Sequence, residues 1–194
     1  MNLPNFLTVS RFFLTVVFAA LLYQNSLFST VLAAFVFTAA ALTDYYDGKI
    51  AKTRKLITDF GKIMDPIADK VLMLSAFFIF TQMGVVAAWM FAIIFLREVA
   101  VTASRLLAAR NGLVLAAERL GKIKTVLQIV SVSFILLFLI LEKSLFQAQG
   151  WYRAEDISLN VIQCLMLLTV GVTLASGISY FKQKRKNSPL QSHV

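Results

Sequence analysis

The sequence predicts an all-α, polytopic membrane protein with six transmembrane helices and both termini in the cytosol. Of its 194 residues, 59% are hydrophobic and only 15% are charged, which does not describe the surface of a soluble protein. Four long stretches contain no Asp, Glu, Lys or Arg: 12–43, 71–96, 125–141 and 157–181. Each can cross a bilayer, which takes roughly 20 apolar residues. The distribution of basic residues, described below, gives the orientation.

The four uncharged stretches become six spans because two of them must turn back. Residues 12–43 would form a helix of about 48 Å, whereas the hydrocarbon core is about 30 Å thick. Polar residues at 24–26 interrupt this stretch, and residues 81–84 interrupt the second one. The predicted spans are 5–23, 28–52, 62–81, 85–108, 119–142 and 158–181. They form a domain of residues 1–181, followed by a basic cytosolic tail of residues 182–194 that is expected to be disordered.

The basic residues orient the spans, because cytosolic loops of membrane proteins are enriched in Lys and Arg. Six spans place both termini on one side, which then carries all 19 Lys and Arg residues except Lys143 and Arg153. We therefore expect a multi-pass protein of the cell membrane, inner or plasma, with its functional site facing the cytosol. The net charge of +9 indicates anionic membrane lipids as partners and no nucleic acid, because no groove with stacking aromatic residues accompanies it.

Four aspartates at the cytosolic ends of the second and third spans are the strongest functional signal. Asp44 and Asp47 are spaced i, i+3, and Asp65 and Asp69 are spaced i, i+4, so each pair shares one helical face. Four carboxylates near one another at a membrane repel, and bound cations relieve this repulsion. The sequence has one cysteine and one histidine, so the ligands are oxygen atoms, which select Mg²⁺ or Mn²⁺.

The residues next to the first aspartate pair suit a phosphate ligand. Gly48 and Ala51 follow Asp44 on the same helical face and leave space beside it, and Lys52 can neutralise a phosphate oxygen. Each aspartate alone also has an ordinary explanation, such as a helix cap at Asp65 or a surface ion pair. Such explanations do not account for the spacing of the whole segment.

The segment from Asp44 to Asp69 reads Asp-x2-Asp-Gly-x2-Ala-Lys-x8-Gly-x3-Asp-x3-Asp. It resembles the signature of the CDP-alcohol phosphotransferase family, which usually has Arg at the position of Lys52. Lysine keeps the charge but loses the two-pronged guanidinium geometry. The resemblance implies a homodimer that binds divalent metal through Asp44, Asp47, Asp65 and Asp69, uses Asp69 as the base, and contacts CDP through Asp44, Gly48, Ala51 and Lys52.

A second basic region predicts the acceptor site. Segments 5–11, 97–102 and 120–125 resemble the phosphatidylglycerophosphate synthase branch of this family. The resemblance implies metal-dependent single displacement in phospholipid biosynthesis, in which the phosphatidyl group of CDP-diacylglycerol passes to the primary hydroxyl of glycerol 3-phosphate and CMP leaves. The candidate ligands of the acceptor phosphate are Arg97, Arg105, Lys122 and Lys124. Alternatively, these cations serve only membrane topology or bind anionic headgroups.

Other functions remain open at this point. The same chemistry could use another acceptor, such as inositol phosphate, serine or a second lipid. A prenyltransferase also uses two aspartate-rich motifs, but with a different spacing. An ion-coupled transporter would place its carboxylates near the bilayer midplane and would show repeated halves, and the sequence has neither feature.

Overall fold

The structure, a computed structural model, describes the backbone of residues 3–54, 59–110, 119–146 and 152–186. Side chains are described for residues 10–43, 67, 70–108, 120–145 and 155–183. These residues contain six α-helices and no strand, as predicted. The helices are α1 (Leu3–Tyr23), α2 (Leu27–Arg54), α3 (Asp59–Gln82), α4 (Ala88–Arg110), α5 (Arg119–Leu141) with a π-helical extension (Glu142–Phe146), and α6 (Tyr152–Lys186).

The first predicted break is a tight turn with a helix cap. Asn25 adopts a left-handed φ of 52°, which ends α1. Ser26 and Ser29 then cap α2 reciprocally. The backbone N–H of Ser29 donates to Ser26 Oγ at 3.1 Å, and the N–H of Ser26 donates to Ser29 Oγ at 3.2 Å. The polar residues therefore reverse the chain and also begin the next helix.

The second predicted break also contains a left-handed residue, Gly84, with φ 77°. The backbone N–H groups of Val85 and Val86 both donate to the carbonyl of Phe80, at 3.0 and 3.2 Å. These bonds hold residues 85 and 86 in the turn. Helix α4 consequently begins at Ala88, three residues later than the sequence predicts.

Helix α6 is longer than its predicted span of 158–181. It begins at Tyr152, with Glu155 in its first turn, where a negative charge complements the helix dipole. It continues to Lys186 and so includes the first residues of the predicted tail. Residues 187–194 lie outside the described part.

The helices pack into one bundle with an aromatic and aliphatic core. Helix α1 packs against α2 and α3, α5 packs against α2, α3 and α6, and α4 packs against α3 and α6. Phe18 and Phe37 are buried with ring centroids 5.9 Å apart, and Phe77 and Ile135 are also buried. The arrangement brings α3, α4 and α5 together, and these helices carry most of the charged residues discussed below.

Two helical segments are long and apolar enough to cross a membrane, Leu120–Leu145 and Glu155–Gln183. Three further apolar stretches are shorter within the described residues: Ser10–Tyr23, Leu27–Thr43 and Lys70–Gln82. Large apolar side chains such as Phe13, Phe35 and Leu168 are exposed, which suits a lipid environment better than water. These features indicate a membrane protein.

The left-handed turn gives a stability prediction. A Cβ built on Gly84 meets no neighbouring atom within 4 Å, so Gly84→Ala introduces no clash. Because alanine is strained at positive φ, the substitution is expected to lower the free energy of unfolding by about 1–2 kcal/mol. Gly171→Ala is the matched control because it has the same open space within α6. There, alanine is expected to raise stability by up to about 1 kcal/mol. Denaturant unfolding in detergent measures both; equal stability of Gly84→Ala and wild type would contradict the prediction.

Candidate functional site

The predicted metal and CDP ligands lie on two helices. Helix α3 carries Asp65 and Asp69, and α2 carries Asp44, Asp47, Gly48, Ala51 and Lys52. The side chains of all seven residues lie outside the described part, so their contacts stay predictions. Among the described side chains, no group of three or more His, Cys, Asp or Glu could hold a metal ion.

A cavity of about 360 Å³ with several charged lining residues adjoins the helical turns that carry the aspartates. On α2, Ala40 lines the cavity and precedes Asp44 by one turn. On α3, Met73 lines the cavity and follows Asp69 by one turn. One turn of helix rises about 5.4 Å, so both aspartate positions lie close to this cavity along their helices.

The cavity lining carries more positive than negative charge. Its charged residues come from α1, α3, α4 and α5, and they are Arg11, Lys70, Glu98, Arg105 and Lys124. A concave surface with one dominant sign of charge and low-dielectric walls focuses the electric field and concentrates ions of the opposite sign. The cavity is therefore suited to an anion.

Glu98 is the buried carboxylate of this cluster, with a side chain only 3% exposed. Its Oε1 accepts hydrogen bonds from Lys124 Nζ at 2.5 Å and from Arg97 Nη1 at 3.0 Å. Its Oε2 lies 3.9 Å from Lys70 Nζ, and this ammonium also donates to the hydroxyl of Thr102. One carboxylate thus compensates cations from three helices, as a buried charge requires.

Arg97 donates to Glu98 but does not itself line the cavity. Its Nη2 donates to Ser176 Oγ on α6 at 2.5 Å. Its side chain passes over Gly177, where a Cβ would meet Arg97 Cγ at 3.2 Å. The guanidinium therefore connects α4 to α6 and borders a separate, largely apolar groove of about 660 Å³ that includes Lys182.

Arg105 lies at the cavity with an exposed side chain. Its guanidinium carbon is 5.3 Å from the ring centroid of Tyr180, a cation–π contact that orients it. Lys122 is exposed on α5 and is not among the residues that line the cavity.

The structure thus separates the four predicted acceptor ligands. Arg105 and Lys124 line the cavity, Arg97 contacts it only through Glu98, and Lys122 lies on the surface. Sequence reasoning missed two further cations of the lining, Arg11 and Lys70. The available signals were the position of Lys70 directly after Asp69 and the presence of Arg11 as the sole cation of α1.

Comparisons with known proteins agree with the predicted family. A family model described as CDP-alcohol phosphatidyltransferase matches residues 1–178. The CDP-diacylglycerol–glycerol-3-phosphate 3-phosphatidyltransferase of Bacillus subtilis (strain 168) is 34% identical over 194 residues, 94% of each chain. The Escherichia coli (strain K12) protein of the same name is 34% identical over 143 residues, 70% of this chain and 76% of the relative. A probable phosphatidylglycerophosphate synthase of Mycobacterium tuberculosis (strain H37Rv) is 38% identical over 139 residues, 70% of this chain and 66% of the relative. This chain belongs to the CDP-alcohol phosphatidyltransferase family.

Proposed function

We propose that the protein transfers the phosphatidyl group of CDP-diacylglycerol to the primary hydroxyl of glycerol 3-phosphate, giving phosphatidylglycerophosphate and CMP. The names of the relatives support this activity and a role in phospholipid biosynthesis. The observation that carries the proposal is the cation-lined cavity next to the aspartate turns. Its charge suits a phosphorylated acceptor better than serine, which has no phosphate.

The acceptor phosphate is held by the cations of the cavity. Arg105, exposed at its edge, presents a guanidinium fork that matches two phosphate oxygens. Lys124 is buried, and after donating to Glu98 its ammonium retains two further N–H donors. Lys70 and Arg11 complete the lining. Lys122, outside the cavity, contributes only long-range attraction.

The donor set Asp44, Asp47, Asp65 and Asp69 consists of carboxylate oxygens, which fits a hard divalent cation such as Mg²⁺ or Mn²⁺. A metal held there would neutralise charge on the diphosphate of the donor and on the departing CMP. Asp44, Gly48, Ala51 and Lys52 form the CDP side of the site. Their order along one helix supports this assignment.

The reaction is a single displacement at phosphorus. The Asp69 carboxylate accepts the proton of the primary hydroxyl of glycerol 3-phosphate. The resulting oxygen attacks the phosphorus attached to diacylglycerol, and the bond from that phosphorus to the bridging oxygen of CMP breaks. Arg105 and Lys124 orient the acceptor so that its hydroxyl faces the donor, which lowers the entropic part of the barrier.

The membrane arrangement we propose has six spans, cytosolic termini and a location in the cell membrane as a homodimer. Helices α1, α3 and α4 contain 21, 24 and 23 residues. At 1.5 Å per residue they measure about 32 to 36 Å, enough for a hydrocarbon core of about 30 Å. In this arrangement the acyl chains of the donor stay in lipid while the water-soluble acceptor enters from the cytosol.

The activity is tested with the full-length protein in detergent, CDP-diacylglycerol and Mg²⁺, with CMP release as the measured signal. We expect release at least about tenfold faster with glycerol 3-phosphate than with inositol phosphate or serine, because the cavity must match both charge and size. A chelator is expected to stop release, and added Mg²⁺ or Mn²⁺ to restore it. Faster release with inositol phosphate or serine would show that the proposed acceptor is wrong. Release that a chelator does not affect would show that the reaction needs no metal.

A further inference from the structure

Glu98 has no role in the reaction described above, although it lies at the centre of the cavity cluster. Its carboxylate is almost completely buried, and its partners come from three helices. Burying an ionised carboxylate is costly and is tolerated only with charged or hydrogen-bonded partners. The cations beside Glu98 therefore keep the carboxylate ionised, and the carboxylate in turn acts on them.

The contacts of Glu98 restrict two lysines whose side chains would otherwise be mobile. A lysine ammonium is a point charge on a flexible stem, so its position depends on what holds it. The 2.5 Å bond to Oε1 fixes Lys124 Nζ, whose side chain is 8% exposed. Lys70 Nζ donates to the hydroxyl of Thr102 and forms an ion pair with Oε2 at 3.9 Å.

We propose that Glu98 is a positioning residue for acceptor binding, which holds the ammonium groups of Lys124 and Lys70 where they meet the acceptor phosphate. This inference rests on the proposed function of the cavity. The bond from Arg97 to Oε1, together with the bond from Arg97 to Ser176, fixes the carboxylate in turn against α6. Arg97 therefore supports the acceptor site through Glu98 without touching the acceptor.

The sign of the effect distinguishes positioning from simple electrostatic attraction. Glu98 reduces the positive charge of the cavity, so if attraction alone set affinity, Glu98→Gln would lower KM for glycerol 3-phosphate. In the positioning role the same substitution raises KM, because a neutral amide no longer compensates Lys124, Lys70 and Arg97. The amide also presents an N–H₂ donor to groups that are themselves donors only.

The experiment compares Glu98→Gln, Lys124→Gln and their double variant in full-length protein. We expect Glu98→Gln to raise KM for glycerol 3-phosphate about tenfold, which corresponds to the loss of one charge-assisted contact. KM for CDP-diacylglycerol should change less than about twofold. The double variant is expected to raise KM by less than the product of the two single effects, because the part of the Glu98 effect that acts through Lys124 is already lost in Lys124→Gln. Glu142→Gln, which replaces a carboxylate outside the cavity lining, is the matched control and should leave both KM values unchanged.

An unchanged or lowered KM for glycerol 3-phosphate in Glu98→Gln would overturn the positioning role, as would additive effects in the double variant. Should Glu98→Gln not fold, Glu98→Asp decides the question. It keeps the charge and shortens the reach by one methylene, so positioning predicts a KM between wild type and Lys124→Gln, and a wild-type KM would overturn it. Wild-type protein that releases no CMP with glycerol 3-phosphate would instead refute the proposed function.

Discussion

Replacing Asp69 with asparagine is expected to abolish transfer, with CMP release lowered about 1,000-fold or more. The amide keeps the shape of the side chain but accepts no proton, and loss of a general base alone costs about 10²–10⁴-fold. It also replaces a charged metal ligand with a neutral one, which weakens the binding of a divalent ion. The measurement is the initial rate of CMP release with both substrates saturating.

The matched control for this prediction is Asp59→Asn. Asp59 begins the same helix, and it occupies a position of the signature at which no residue type is specified. We expect this variant to keep at least about half of the wild-type rate. If Asp69→Asn retained more than a tenth of the activity, Asp69 would be neither the base nor an essential metal ligand. Equal losses in both variants would point to damage to α3 instead.

The helix number follows from the sequence because the signals that set it are local. Asn25 and Gly84 are residue types that tolerate positive φ, and both stand where an uncharged stretch exceeds the bilayer thickness. The end of α6 was harder to predict. Its last turns contain cations, which are favourable at a helix C-terminus, and the first proline beyond them is Pro189.

The lining of the cavity proposed for the acceptor was only partly predictable, and helical geometry explains which part. At 100° per residue, Arg97 and Arg105 differ by about 80° around α4, while Glu98 and Arg105 differ by only about 20°. This accounts for Arg97 facing α6 while Glu98 and Arg105 line the cavity. On α5, Lys122 and Lys124 are about 160° apart, which accounts for Lys124 lining the cavity while Lys122 is exposed.

Arg11 and Lys70 were missed for a different reason. Each is a single cation on its own helix face, and spacing along one helix carries no information about the neighbouring helix. Only the packing of α1 against α3, and of α3 against α5, brings these residues to the same cavity as Lys124. Spacing in the sequence therefore predicts the donor side of the proposed site, whereas packing of distant helices is needed to define the cavity proposed for the acceptor.

The second large effect is expected from Arg105→Gln, which should lower kcat/KM for glycerol 3-phosphate about 100-fold. Two charge-assisted hydrogen bonds to phosphate are lost, and each is worth about 1.5 kcal/mol or more. Arg105→Lys should lie between wild type and Arg105→Gln, because lysine keeps the charge without the fork. The control is Lys182→Gln, which removes an exposed cation from α6 outside the cavity and should change kcat/KM less than about twofold.

The kinetic constants decide which substrate Arg105 binds. Because Arg105 lines the cavity on α4 and contacts Tyr180 on α6, we expect its loss to raise KM for glycerol 3-phosphate while KM for CDP-diacylglycerol stays within about twofold of wild type. If KM for CDP-diacylglycerol rose instead, Arg105 would belong to the donor site, and the cavity would hold the diphosphate. Equal effects of Arg105→Gln and Lys182→Gln would mean that surface charge near the membrane, and not the cavity, attracts the acceptor.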